Sequence, residues 1–206
     1  MSSETQDIRE DLAFLRALVQ AGDDYRRPFG EAYLAAGVCY LGQVALGLAQ
    51  MLGWLGGDPV TGISVGVAPT AIFLGWLAFI LVRHRGEIPN SPTGRAIGGV
   101  FGAVGLANLV LVVVIGSVAW RERSFATWLI YPCAAFVLQG AAWLVANVMT
   151  RRGWMMAVAL VWFACAVGMA LTIWSTLWFV AFVGLGLGLG MAAPGVVMMR
   201  AAVRAA

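Results

Sequence analysis

The sequence predicts an all-α integral membrane protein, with six transmembrane helices arranged as three helical hairpins behind a short amphipathic cytoplasmic helix. The first observation is composition: the 206 residues are 61% hydrophobic and only 11% charged, whereas a soluble domain carries about 25% charged residues. The second is that charged residues divide the chain into apolar stretches long enough to cross a bilayer. The third is that arginines alternate between the ends of these stretches. A soluble globule and a disordered chain are both excluded.

The composition also excludes several kinds of functional site. All 13 basic residues are arginine, so a retinal Schiff base, a pyridoxal phosphate site and a P-loop each lack the lysine they need. A single histidine, His84, excludes haem held by two histidines and histidine-based metal clusters. Cys39, Cys133 and Cys165 lie far apart in apolar runs, which is typical of buried thiols. The sequence therefore predicts no cofactor and no metal site.

Residues 1–28 are predicted to form a cytoplasmic unit without the apolar core of a signal peptide. Ile8, Leu12, Leu15 and Val19 recur at helical spacing and give one apolar face. Residues 2–20 carry a net charge of −2, from four acidic and two basic side chains. We expect this helix to fold back beneath the bundle, where Leu12 and Leu15 cover the helix ends. Its acidic residues would then face the arginines of two cytoplasmic loops, which are Arg83, Arg85, Arg151 and Arg152.

The remainder of the chain, residues 29–206, is predicted to form the transmembrane bundle. Charged residues enclose four apolar stretches of 26, 24, 25 and 27 residues, and about 20 residues cross a bilayer as one helix. The last stretch, 153–199, has 47 residues; as one helix it would be roughly 70 Å long, so it must turn back. The best turn is at Trp174, Ser175 and Thr176. The predicted helices lie near 29–53, 61–83, 95–119, 124–149, 153–173 and 176–199.

Arginine placement predicts the orientation. With both termini in the cytoplasm, 11 arginines lie inside and 2 lie outside, as the positive-inside rule requires. The two outer arginines are Arg121 and Arg123. We therefore expect a multi-pass protein of a bacterial-type inner (plasma) membrane, with both ends inside.

Two prolines are predicted to interrupt helix hydrogen bonding. Pro69 and Pro132 lie in the outer halves of their helices, and a proline cannot donate to the carbonyl four residues before it. The carbonyls of Val65 and Trp128 are therefore left free. A static bend or a hinge would both satisfy this pattern.

Neutral polar side chains follow one face of two predicted helices, and a further amide lies at the middle of a third. An unpaired amide facing hydrocarbon costs several kcal/mol, so these faces should point inward. Two interpretations stay open: an aromatic-lined pocket for a neutral or amphipathic ligand, and hydrogen bonding between helices. The residues are Tyr33, Tyr40, Gln43 and Gln50 in the first helix, Asn108 in the third, and Gln139, Trp143 and Asn147 in the fourth.

The positions of the acidic residues and of the possible nucleophiles do not favour an enzyme active site. Glu31 is the one acid predicted at membrane depth; such acids are functional candidates, but Arg26 and Arg27 nearby favour a local ion pair. No second carboxylate lies at that depth for a proton relay. Ser117 and Ser175 lie near the outer ends, away from His84. The sequence therefore predicts a protein that is not an enzyme.

Glycines concentrate in the third and sixth predicted helices. Three GxxxG pairs, Gly98/Gly102, Gly184/Gly188 and Gly186/Gly190, favour close helix packing or self-association.

Two functional hypotheses follow. The first is an accessory or regulatory membrane subunit that contacts a partner through its cytoplasmic face. The alternative is a transporter or ligand-binding bundle for a small neutral or lipophilic molecule. The expected partners are the bilayer, another membrane or cytoplasmic protein, or a second copy, and not a nucleic acid.

Overall fold

The computed structural model describes residues 26–85 and 92–205, and within these ranges all regular structure is helical. The predicted amphipathic helix with Leu12 and Leu15 lies outside the described residues. The elements are α1 (Arg26–Met51), α2 (Pro59–Arg83), α3 (Pro92–Glu122), α4 (Phe125–Trp128), α5 (Ile130–Thr150), α6 (Gly153–Leu171), α7 (Thr176–Leu187), a π-helical turn (Gly188–Ala192) and α8 (Ala193–Ala205).

Among the described residues, six helices are long and apolar enough to cross a membrane. They are α1, α2, α3, the continuous pair α4–α5, α6, and the run from α7 through the π turn into α8. The prediction of an all-α chain with six spans is therefore confirmed by helix length and composition. Its physical basis is that a backbone in hydrocarbon must satisfy its own hydrogen bonds, and a helix does so within one segment.

The fourth span differs from the single helix predicted over 124–149. It begins as the short α4, passes through Leu129 and continues as α5. Pro132 explains the interruption, because it has no N–H to donate to Trp128. Leu129 keeps right-handed helical dihedrals, with φ −65° and ψ −13°. The proline therefore interrupts the hydrogen bonding without redirecting the chain.

The sixth span contains a π-helical turn that the sequence reasoning missed. Ala193 donates its N–H to the carbonyl of Gly188, five residues earlier, which widens the helix by one residue in this turn. Pro194 follows directly and has no N–H for the carbonyl of Gly190. Gly190 in this turn allows the Trp162 ring to approach the backbone.

The core lies among α1, α5, α6 and the sixth span. Helix α1 packs against α2, α7, the π turn and α8, while α5 packs against both α3 and α6. Trp143 and Trp162 are the largest fully buried side chains. The pairing of the spans into three separate hairpins stays a prediction, because α5 contacts α6 across the predicted boundary between hairpins.

The two ends of the bundle differ in composition. One end, here the tryptophan end, carries Trp54, Trp120 and Trp174, which are 78%, 85% and 86% exposed. Tryptophans are enriched where a bilayer meets water. The other end, here the arginine end, carries the first residues of α1 and the last of α8, because the number of spans is even. Its arginines include Arg27, Arg83, Arg85, Arg95, Arg151 and Arg200.

Candidate functional site

The predicted polar faces of α1 and α5 meet in a buried chain of hydrogen bonds. The Trp143 indole Nε1 donates to the Tyr33 hydroxyl oxygen over 2.7 Å. The Tyr33 hydroxyl donates in turn to Oε1 of Gln139 over 2.9 Å. Trp143 is completely buried. The structure therefore brings Tyr33, Gln139 and Trp143 together, and the Trp143 Nε1, the Tyr33 hydroxyl and the Gln139 Oε1 all bond within the protein.

Aromatic rings fill the space around this chain. The Phe101 ring of α3 lies with its centroid 5.5 Å from that of Trp143 and 5.7 Å from that of Tyr33. Phe29 contacts Phe101 at 4.6 Å, and Trp154 contacts Trp143 at 5.5 Å. These separations are those of packed aromatic pairs. The cluster stabilises the contact of α1 with α3, α5 and α6.

The part of the α1 stripe toward the tryptophan end contacts a different helix. The Gln43 amide donates to the carbonyl oxygen of Gly66 over 3.0 Å, and Tyr40 packs on Phe73 with ring centroids 5.7 Å apart. Gly66 is next to Val65, whose carbonyl Pro69 leaves without a helical donor. Gln43 thus supports the turn of α2 that the proline weakens.

Gln50 serves the loop after α1. Its amide donates to the carbonyl oxygen of Gly56 over 3.2 Å. The predicted stripe on α1 is therefore divided among three partners, which are α5, α2 and a loop.

Two asparagines remain apart from these contacts. The Oδ1 atom of Asn108 is buried and has no hydrogen-bond partner among the described residues. An unsatisfied buried acceptor costs about 1–3 kcal/mol. Asn147 is half-buried near the end of α5, where its backbone carbonyl accepts from the Arg151 N–H over 2.7 Å.

Glu31, the acid predicted at membrane depth, pairs with residues at the end of α2. Oε2 of Glu31 lies 3.1 Å from Nε2 of His84, and Oε1 lies 4.0 Å from an Arg83 guanidinium nitrogen. His84 is only 4% exposed. The local pair expected with Arg27 is not formed, and the Arg26 side chain lies outside the described residues. Glu31 therefore joins α1 to the end of α2.

The four arginines predicted for docking all lie at the arginine end. Arg83 is the last residue of α2, and Arg85 lies two residues later. Arg151 and Arg152 lie between α5 and α6. Arg151 adopts φ 54° in the left-handed region and caps α5. Arg83, Arg85 and Arg151 are exposed. Their predicted contact with the N-terminal segment falls outside the described residues.

One buried polar contact was missed by the sequence reasoning. The Trp162 indole Nε1 donates to the carbonyl oxygen of Gly190 over 3.0 Å. This is the carbonyl that Pro194 leaves without a helical donor. The signal was present in the sequence, since Pro194 lies four residues after Gly190, but Trp162 stands in an apolar run with nothing to mark it.

At the tryptophan end, Asp58 caps α2. Its carboxylate accepts from the Thr61 hydroxyl over 2.7 Å and from the Thr61 backbone N–H over 3.0 Å. These hydrogen bonds lower the pKa of Asp58 below its usual value. The contact starts a helix and offers no chemistry beyond that.

In the part of the chain that the structure describes, no group of three His, Cys, Asp or Glu side chains could hold a metal ion. Comparison with known protein families, with characterised proteins and with solved structures gives no match to this chain. Its function must therefore be argued from its own residues.

Proposed function

We propose that the chain is a non-enzymatic, polytopic subunit of a bacterial-type inner membrane, with both termini in the cytoplasm, that contacts a partner through its cytoplasmic face. One observation supports this most: five of the eight side chains that could have lined a ligand pocket bond to one another or to backbone. Tyr33, Gln139 and Trp143 form one continuous chain, and Gln43 and Gln50 bond to backbone carbonyls. A core whose polar groups bond within the protein holds the helices together and leaves those groups unavailable to a ligand.

The arginine end supplies the contact surface. Arg27, Arg85, Arg95, Arg151 and Arg200 are all exposed. Clustered charges of one sign steer association with a partner of the opposite sign and select its orientation. The partner is accordingly a membrane or cytoplasmic protein with an acidic surface next to the bilayer.

The test compares two matched pairs of exposed arginines. Arg85→Gln with Arg95→Gln removes charge from the arginine end, whereas Arg121→Gln with Arg123→Gln removes it from the tryptophan end. Quantitative cross-linking in the native membrane should show loss of protein cross-links only for the first pair. Reporter fusions at Gly57 and at the C-terminus check that topology is unchanged. The proposal is contradicted if both pairs of substitutions change the cross-links equally, or if the C-terminus lies outside the cytoplasm.

Two spans leave room for a partner within the membrane. Only 11% of the residues in the most apolar windows of α2 and of α3 are buried. Gly98, Gly99, Gly102 and Gly105 are exposed on α3, and an added Cβ at each would meet no atom within 4 Å. Glycine faces of this kind allow close approach of another transmembrane helix.

Energy transfer between labelled copies, diluted in vesicles, tests whether that helix belongs to a second copy. Gly102→Leu should abolish association, while Gly42→Leu on the open face of α1 should not. Gly42 is a suitable control because a Cβ there also meets no atom within 4 Å. Loss of association in both variants, or in neither, argues against the α3 face.

The alternative function, transport or binding of a small neutral or lipophilic molecule, is favoured by one observation. The buried Oδ1 of Asn108 lacks a donor among the described residues, and a ligand hydroxyl or amide would supply one. The residues involved would be Tyr40, Gln43, Asn108, Gln139 and Trp143. A neutral ligand that raises the melting temperature of the wild type but not of Asn108→Leu would support this function. A ligand panel that shifts neither protein would count against it.

A further inference from the structure

A groove of about 410 Å³ runs between α1 and α8 at the arginine end. It is lined by Leu34 of α1 and by Val196, Met199, Arg200 and Val203 of α8. The four α8 residues follow helical spacing and share one face. Four of the five lining side chains are apolar, and the fifth carries a positive charge.

Backbone packing beside the groove makes it a preformed feature. A Cβ at Gly195 would lie 2.7 Å from the backbone nitrogen of Leu34, and one at Gly30 would lie 2.9 Å from Cβ of Met198. Only glycine permits so close a crossing. Leu34 belongs both to this crossing and to the groove wall, so the wall is held by the helix contact.

The mouth of the groove is positively charged. Arg200 is exposed there, and Arg27 is exposed seven residues before Leu34, on the same face of α1. Neither side chain forms an ion pair with the described residues. The acid nearest along α1, Glu31, is directed to Arg83 and His84 of α2. Helix α8 has no acidic residue.

The length of the groove favours one of two occupants with complementary charge. Its lining on α8 runs from Val196 to Val203, which is about 10 Å along the helix axis. The predicted apolar face of the N-terminal segment, from Ile8 to Val19, would be about 16 Å long as a helix. A flexible acyl chain can follow the shorter groove, and both walls belong to helices long and apolar enough to span a membrane.

We propose that this groove binds one anionic phospholipid. Its acyl chain lies along Leu34, Val196, Met199 and Val203, and its phosphate pairs with Arg200, supported by Arg27. A guanidinium binds phosphate oxygens with two parallel hydrogen bonds, and basic sites between transmembrane helices recognise anionic headgroups. The inference does not rest on the proposed partner or on the orientation in the membrane.

Native mass spectrometry of the full chain, extracted from vesicles of equal parts phosphatidylglycerol and phosphatidylcholine, provides the test. The wild type should retain phosphatidylglycerol in preference to phosphatidylcholine. Arg200→Gln should lower that preference about fivefold, the factor expected for one arginine near an anionic headgroup. Arg95→Gln is the matched control, an exposed arginine of the same end on α3, and should retain the lipid. Val203→Trp fills the groove and should reduce retention of both lipids.

Three results would overturn the proposal. The first is equal retention of both lipids by the wild type. The second is an equal loss for Arg200→Gln and Arg95→Gln, which would show attraction by the whole basic surface and not by the groove. The third is a disulfide between Leu12→Cys and Val203→Cys in the full chain with its native cysteines replaced by serine. That bond would place the N-terminal segment in the groove.

Discussion

Close contacts at glycine concentrate in one part of the bundle. In the tight half, which comprises α1, α5, α6 and the sixth span, a Cβ added at Gly37 would lie 2.8 Å from the backbone of Ala192, and one at Gly186 would collide with Phe136. In the loose half, which comprises α2 and α3, a Cβ at Gly75 or Gly102 would meet no atom within 4 Å. The same residue in equally apolar surroundings thus closes one contact and leaves another surface open.

A GxxxG pair in the sequence does not by itself indicate a close helix contact. Of the three pairs in the sequence, Gly186/Gly190 packs directly against rings of Phe136 and Trp162. Added Cβ atoms at Gly98/Gly102 and at Gly184/Gly188 meet open space. The spacing therefore indicates that a close approach is possible, and the rotation of each helix decides whether it occurs.

The largest expected effect comes from adding one methyl group to the tight half. Gly195→Ala places a Cβ 2.7 Å from the Leu34 nitrogen and 2.9 Å from its Cα. Backbone atoms cannot rotate away, so α1 and α8 must separate, at a loss of about 2–3 kcal/mol in the free energy of unfolding. Gly102→Ala in the loose half should change it by less than about 0.5 kcal/mol. Unfolding by steric trapping in bicelles measures both. Similar losses would remove the distinction between the halves.

The second effect concerns the sixth span. Trp162→Phe removes the N–H donor for the Gly190 carbonyl, and an unsatisfied buried carbonyl should lower stability by about 1–3 kcal/mol. Pro194→Ala restores a backbone N–H four residues after Gly190. In the double variant the loss from Trp162→Phe should therefore shrink. A double-mutant cycle on the same unfolding assay isolates this coupling, and strictly additive losses would show that the indole bond is not a replacement for the helical one.

A smaller effect is expected at the hydrogen-bonded chain. Tyr33→Phe leaves Trp143 without its acceptor and Gln139 without its donor, so stability should fall by about 0.6–2 kcal/mol. Tyr131→Phe is the control, because no hydrogen bond of the Tyr131 hydroxyl is found among the described residues. An equal loss in both variants would mean that the change reflects the hydroxyl groups in general and not this chain.

The smallest effect lies at the tryptophan end, where Asp58 starts α2. Its pKa is lowered in the folded protein, so its contribution is present above the unfolded pKa and is lost as pH falls through the folded pKa. The protection factor of the Thr61 amide, which is the ratio of its intrinsic to its observed exchange rate, should therefore be high at neutral pH and fall only below the ordinary pKa of an aspartate. Asp58→Ala should give a low protection factor at every pH. A protection factor that falls equally with acid in both proteins would contradict the cap.

Much of the fold could be predicted from the sequence. Charges at Glu31, Asp58, Arg83 and Arg95 enclose apolar stretches whose length matches a bilayer, and moving any span would put charge into hydrocarbon. That the side chains of Tyr33, Gln139 and Trp143 face one another could also be predicted, because unpaired polar groups must face inward. The sequence could not show whether those groups line a pocket or form hydrogen bonds with one another.

The sequence by itself therefore determined the number of apolar spans and, apart from the end of the last one, their bounds within a few residues, because placing charges and amides in hydrocarbon has a free-energy cost that depends on residue type alone. Only the tertiary structure decided that Glu31 pairs with His84 across two helices, that Trp162 supplies the donor for Gly190, and that Oδ1 of Asn108 has no donor among the described residues. These contacts depend on how each helix is rotated about its axis. Between helices with apolar residues on every face, many rotations bury similar area, and short-range packing around single glycines selects among them.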